Sequence, residues 1–561
     1  MYLVFIYLIC FVPFGCGPHS SKVDTEEQTT PSKNQNPTKS QKSKASAEKE
    51  TNKDQKPTMS KDQKTDTPKD QKPIPTTNKK RQKDQKSPTS KDKKRGSSQS
   101  QKSTTSKEKK AAPLQVYRQG SNQPNEWLSR FLDAAKSAPS RRARKAMEIV
   151  LKDPARFRFQ LLITEADFST NPPTLTPHEY RVDQEYFYPA SAIKTYASVA
   201  ALMYYKEQKD QYPWLTTNDA LGYSAKRCIL KDKTNLKGKL VSLEHEIKKT
   251  QLVSNNKAFN RIFNVVGSVG IHQRLLKYFP SIRVYHRLSS NETYEECLNV
   301  PAIRVCDFYK DKLHPKQSFT RKRIRSKKEQ DAQPTDFSDP YYPKMPAYTG
   351  YGKNEKSLYI GKGYVDMKTK KRINKPYDFS VKNRASFYDF QRLTLAIFKP
   401  NWTDPFLPSQ SPNLNTLLGK TWLNELRHAM TIYPRHSENP IYKSRSLSET
   451  RFKPLIRGIR SSYKARKHSL SDDNLYYLNK AGKAFGFHIE NAFIGYGKNV
   501  GKINGRGYNE GRFKRGLFIT VGVYANQDEI LNNNLYQYKT ITVPVLDAIG
   551  YAVGQYLAGQ L

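Results

Sequence analysis

Cysteine is scarce in this chain, with five in 561 residues, so a scaffold built on disulfides is excluded. Acidic residues are also few for the length: 51 Asp and Glu face 97 Lys and Arg, a formal charge of +46. Such an excess calls for an anionic partner, whether nucleic acid, lipopolysaccharide, anionic lipid or a cell-wall polymer. His and Cys show no metal-site spacing, so no metal or cofactor is expected. Long apolar runs are missing too. Leu3 to Val12 falls short of the ~20 residues of a membrane span and suits a secretory core better. The length allows two or three domains, or one large domain with appendages.

Pro13-Phe14-Gly15-Cys16 closes the apolar run. Gly before Cys at this place resembles the lipobox of bacterial lipoproteins, which implies acylation at Cys16 and a signal peptide over residues 1–16. No basic residue precedes the run, and Pro13 stands where the lipobox has Leu; plain secretion and an uncleaved anchor are the alternatives. Residues 17–112 are rich in Lys, Ser, Thr and Gln. Lys-Asp-Gln-Lys recurs at Lys53, Lys61, Lys69 and Lys83. A stretch this poor in apolar residues cannot offset its ordering entropy, so a disordered tether is expected. Its charge also suits an anionic polymer of the cell envelope.

The folded body is read over residues 113–561. Asn125 to Leu151 has helical periodicity with Asn125 as N-cap, Arg156 to Thr164 reads as a strand, and Asn171 to Pro177 as a turn. Tyr188-Pro189-Ala190-Ser191-Ala192-Ile193-Lys194 then opens a buried helix, with Pro189 at its entry. Ser191 and Lys194 fall about one turn apart on one face. A buried lysine amine there can take a serine proton. The unpaired first-turn N–H groups can help hold an oxyanion. Ser254-Asn255-Asn256 follows a helical stretch and precedes another; Ser254 can relay a proton and Asn256 can orient a lysine or a carbonyl. Lys480-Ala481-Gly482 opens a strand hairpin in which Gly482 permits close backbone approach. Strands at 492–496 and 517–524 complete an antiparallel meander, and 543–557 is an apolar terminal helix. Helices are also expected at 385–399 and 414–430, and basic, loop-rich insertions at about 307–380 and 431–473. Cys297 and Cys306 are read either as a pair or as buried thiols.

Ser191-x-x-Lys194, Ser254-x-Asn256 and Lys480-x-Gly482, in that order, resemble the S-x-x-K, S-D-N and K-T-G set of class A β-lactamases and penicillin-binding proteins. The resemblance implies an α/β (α+β) fold, an antiparallel sheet flanked by helices plus an all-α subdomain, from about Leu114 to Leu561. It implies that Ser191 attacks an acyl carbonyl, Lys194 takes its proton and Ser254 passes one to the leaving nitrogen. Asn256 would hold the substrate amide and Lys194, and Lys480 the substrate carboxylate. The N–H groups of Ser191 and Lys483 would form the oxyanion hole. Glu295 in Glu295-Glu296-Cys297-Leu298-Asn299 matches the family's E-x-x-L-N and would be the deacylation base, with Glu292 and Glu296 as alternates. Asn255 replaces the family's Asp, whose job there is mainly structural, and Ala481 replaces its carboxylate-binding hydroxyl residue, a lost bond worth ~1–3 kcal/mol of binding. The implied substrate is a β-lactam or a peptidoglycan peptide, met outside the cytoplasm by a protein held at the membrane through its lipid anchor. A D-Ala-D-Ala carboxypeptidase, peptidase or esterase of the same fold is the first alternative, a non-catalytic envelope-binding lipoprotein the second, and nucleic-acid binding ranks last.

Overall fold

The computed structural model describes residues 120–224, 226–290, 292, 296–297, 299–323, 355–443, 449–464, 472–501, 503–504, 507–508 and 513–561. The signal segment with Cys16, the basic tether and Glu295 lie outside them. Among the described residues no helix is long and apolar enough to cross a membrane.

The chain opens with two helices, α1 (Glu126–Lys136) and α2 (Arg141–Lys152), where the periodicity predicts one. Asn125 caps α1 through its side chain as expected, but Pro139 and a fresh Ser140 N-cap restart the helix. The next elements are β1 (Gln160–Asp167) and β2 (Thr174–Tyr180). The expected Pro-rich turn is thus partly a strand. Pro177 is tolerated because β2 is the sheet edge, where a missing N–H breaks no interior ladder. Then come α3 (Lys194–Gln211), α4 (Leu243–Leu252), α5 (Asn256–Leu275), α6 (Phe387–Phe398) and α7 (Lys420–Thr431). The C-terminal part carries α8 (Ile456–Lys464), β3 (Leu475–Asn479), β4 (Gly482–Ala484), β5 (Phe487–Gly497), β6 (Phe513–Tyr524) and α9 (Val543–Leu557).

The main sheet runs β3-β5-β6-β1-β2, with β4 also on β5, and every pairing is antiparallel. Alternation along the strands feeds two cores. Leu162, Ile489, Phe493 and Phe518 face α3, α5 and α6; Leu161, Ile163, Ile519 and Val521 face α1, α2, α8 and α9. The fold is therefore α+β, an antiparallel sheet with helices on both faces and further helices beside it, as expected.

A smaller sheet pairs Ala220–Gly222 with Ile303–Tyr309 and the latter with Lys312–Arg321. The first expected insertion thus begins as ordered hairpin. Cys306 in this sheet is bonded to Cys228, with Cα atoms 5.8 Å apart, while Cys297 is a buried free thiol. Of the two readings, the Cys297–Cys306 pair is excluded: Cys297 is a buried thiol held against Glu292, and Cys306 pairs with a residue 78 positions upstream.

Candidate active site

The nucleophile turn is tighter than a plain helix start. Ala190–Ile193 is one 3₁₀ turn entered at Pro189, and the α-helix begins only at Lys194. Ala190 has φ +46°, left-handed backbone that costs a non-glycine residue free energy. Gly482 explains how β4 lies against this turn: a Cβ there would fall 2.1 Å from the Pro189 carbonyl oxygen and 2.8 Å from Ala192 N. Only a glycine permits that approach. Lys480 N donates to Asn491 O at 3.0 Å, so the ladder on β5 continues from β3 toward β4. Phe485 and Gly486, both at positive φ, make the tight turn into β5.

The loop between α4 and α5 supplies the facing wall. Ser254 also has positive φ, +55°. Asn255 caps α5, accepting from Ala258 N at 2.9 Å, so its side chain has a structural task worth about 1 kcal/mol. Asn256 is the first residue of α5.

These elements bring Lys194, Ser254, Asn256 and Lys480 into one hydrogen-bonded cluster. Lys194 Nζ donates to the Ser254 carbonyl oxygen and to Asn256 Oδ1 at 2.7 Å, and lies 3.3 Å from Ser254 Oγ. Lys480 Nζ donates to Ser254 Oγ at 2.9 Å. Asn256 Nδ2 donates to Ser289 Oγ at 2.6 Å, which fixes the amide so that its oxygen faces the lysine. Ser191 is half-buried at the head of α3, and its hydroxyl has no hydrogen-bond partner among the described residues.

Burial first, and then the charges of Lys480 and Arg451, hold the Lys194 amine well below the ordinary lysine range. Burial also pulls Lys480 down to about 7, against an opposing pull from Glu490. A neutral Lys194 has two N–H bonds and one lone pair. The carbonyl oxygens of Ser254 and Asn256 account for the two donors, leaving the lone pair for a hydroxyl proton. The Ser254 hydroxyl then lies between a base and a cation, the place of a proton relay.

The structure treats the remaining expected residues unevenly. Lys483 follows Gly482 in β4, and its ammonium lies over the Tyr538 ring, so its side chain has a packing partner. Glu292 is ion-paired with Arg287 at 3.2 Å and accepts from Cys297 Sγ, which makes it a brace of its loop. Glu296 is exposed. Two residues in the second expected insertion were missed. Arg451 bears on Lys194 and Lys483, and Lys453 lies buried beneath β3. The sequence signal for Lys453 was present only as a lysine beside an apolar Pro-Leu-Ile run. Asp232, His245 and Glu246 also cluster, but Lys249 and Arg261 pair with Asp232, so the group reads as an ion-pair network.

No family model matches this chain, and no curated protein matches it. Solved structures similar to it are β-lactamases and PBP-A. A β-lactamase from Burkholderia vietnamiensis is 12% identical, covering 75% of this chain and 97% of its own at a TM-score of 0.34. One from Sphaerobacter thermophilus is 10% identical, covering 77% and 98% at 0.34. A PBP-A mutant in an acyl-enzyme complex with penicillin G is 10% identical, covering 74% and 96% at 0.35. The chemical reading of the site rests on its own geometry.

Proposed function

We propose that this chain is a serine hydrolase that acylates Ser191 with a β-lactam amide, in the manner of a class A β-lactamase. The observation that carries the reading is the buried Lys194 amine, hydrogen-bonded to Ser254 and Asn256 and held by burial well below the ordinary lysine range, at the head of the Ser191 helix. Ser191 attacks the carbonyl carbon while its hydroxyl proton passes to Lys194. The oxyanion forms against the backbone N–H groups of Ser191 and Lys483. Ser254 delivers the proton to the leaving nitrogen, and the Lys480 cation draws the substrate carboxylate. Water then attacks the acyl-serine, with Glu295 as base. The same reading includes export and a lipid anchor at Cys16, the basic tether spanning from membrane to body.

A slower relative, a D-Ala-D-Ala carboxypeptidase or penicillin-binding protein, is favoured by Ala481, which offers no hydroxyl to the substrate carboxylate. Mass spectrometry of the protein with penicillin, beside Ser191→Ala, separates the readings. A transient adduct at Ser191 with turnover supports the β-lactamase, and Glu295→Gln then traps it. A long-lived adduct supports the peptidase. No adduct on folded protein removes both.

A further inference from the structure

On the far side of the sheet from Ser191 lies a second polar cluster that the proposed chemistry does not use. Side chains of β3 alternate: Tyr476 and Leu478 enter the core toward α3, Leu475 and Tyr477 the core toward α9. Lys480 continues the first set, since its amine reaches Ser254, and Asn479 continues the second. Lys453, just before α8, runs beneath the strand. Its Nζ donates to Met430 O at 3.2 Å, Tyr477 O at 2.8 Å and Asn479 Oδ1 at 2.9 Å. Next to it, the Tyr477 hydroxyl donates to Glu490 Oε1 at 3.0 Å and accepts from Leu455 N at 3.3 Å.

Glu490 is fully buried on β5; Tyr477 and Asn479 both favour its charged form, and its Oε2 meets no partner at full hydrogen-bond geometry among the described residues. A buried carboxylate oxygen left bare is costly unless cations stand near. Two do: Lys453 on the same face, and Lys480, whose amine lies on the other. The remaining groups that bear on these three are few. Glu449 acts on Lys453, whose amine also lies 4.9 Å from the Tyr433 ring centre and 4.8 Å from that of Tyr477. Lys194 meets Lys480 at Ser254, and Arg451 acts on Lys194 and Lys483.

We infer that Glu490 is a positioning residue that biases the Lys480 amine toward its cationic form from the opposite face of the sheet, with Lys453 as the cation that draws the Glu490 carboxyl toward its charged form. Geometry gives the arrangement, and electrostatics gives it leverage. Burial lowers both lysines and raises Glu490, so one added or removed charge decides which of them keeps its proton. The inference rests on the acyl-serine reading, in which Lys480 must be an ammonium to attract the substrate carboxylate. It adds that this state is set by residues that never touch substrate.

The test is the second-order rate of acylation by penicillin, followed between about pH 5 and 10, for the full chain and for Glu490→Gln, Lys453→Met and the double variant. Removing Glu490 alone leaves Lys453 to repel the Lys480 proton. The alkaline limb then moves to lower pH by about one unit, and the rate above that limb falls about tenfold. The double variant removes both charges and returns the limb toward that of the wild type. Tyr477→Phe deletes only the hydroxyl that favours the charged carboxylate, and shifts the limb the same way by less, should Glu490→Gln not fold. Titration of the Lys480 side chain by lysine-labelled NMR reads the same shift without any acyl substrate. A wild type that is never acylated, with the Lys480 titration still moved by Glu490→Gln, sinks the acylation reading and keeps the electrostatic link. A limb and a titration unmoved in folded Glu490→Gln or Tyr477→Phe overturn the inference, as does a double variant shifted as far as the single one.

Discussion

The Lys194 and Lys480 amines both reach the same oxygen, Ser254 Oγ, at 3.3 and 2.9 Å. One lysine comes from the first turn of α3 and the other from the end of β3, so a single hydroxyl joins helix and sheet across the site. After burial, the nearby Lys480 charge is among the causes that hold the Lys194 amine well below the ordinary lysine range.

Ser254→Ala removes this shared oxygen while leaving the loop backbone in place. Acylation should fall by about 10²–10⁴-fold, the usual worth of a positioned proton relay. The melting temperature should change little. Stopped-flow acylation beside a thermal scan checks both.

Lys480 links pH to stability. Its folded-state value of about 7 lies below its ordinary 10.5, so between these pH values the unfolded chain binds more protons than the folded one. Stability contributed by this group therefore rises with pH across that window, and the burial cost is fully present below about pH 7. Lys480→Met should flatten the rise of stability between about pH 7 and 10.5. Its acylation rate should drop. Urea unfolding at several pH values tests the sign.

Gly482→Ala should be worse than its size suggests. The new methyl would meet the Pro189 carbonyl oxygen at 2.1 Å, a backbone atom that cannot swing aside. Either β4 or the Ser191 turn must retreat, and a misplacement of about 1 Å can cost 10²-fold in rate. A destabilisation of about 1–3 kcal/mol accompanies it. Acylation kinetics on folded protein read the first effect, calorimetry the second.

The Cys228–Cys306 bond closes a long loop and should contribute about 2–4 kcal/mol. Reduction, or Cys228→Ser with Cys306→Ser, should lower the melting temperature without touching the lysine cluster. Thiol titration of unreduced body residues 113–561 should find Cys297 alone, and only after unfolding.

Much of the site was legible because its chemistry is carried by short motifs on adjoining turns. Ser191 and Lys194 needed only helical spacing, and Gly482 needed only the observation that a hairpin strand had lost a side chain. Asn125 as a cap and 543–557 as a terminal helix were equally local. What sequence could not show is contact across distance. Pro177 in β2 reads as a turn until the strand is known to be an edge. Cys306 has no local signal for Cys228. Lys453 looks like one more basic residue of a loop, because its three acceptors come from α7 and β3.

The central pairing of the main sheet has a consequence for how the protein is made. In the β1–β6 ladder Gln160 faces Gly522, and Ala166 faces Gly516. At about 5–20 residues per second, a ribosome spends tens of seconds between making one partner and the other. Throughout that interval the apolar faces of α1, α2 and β1 wait for β6 and α9, which cover them in the finished molecule. A nascent chain stalled before residue 513 should therefore hold its first strand uncovered and depend on a holding chaperone, whereas one released after α9 should not.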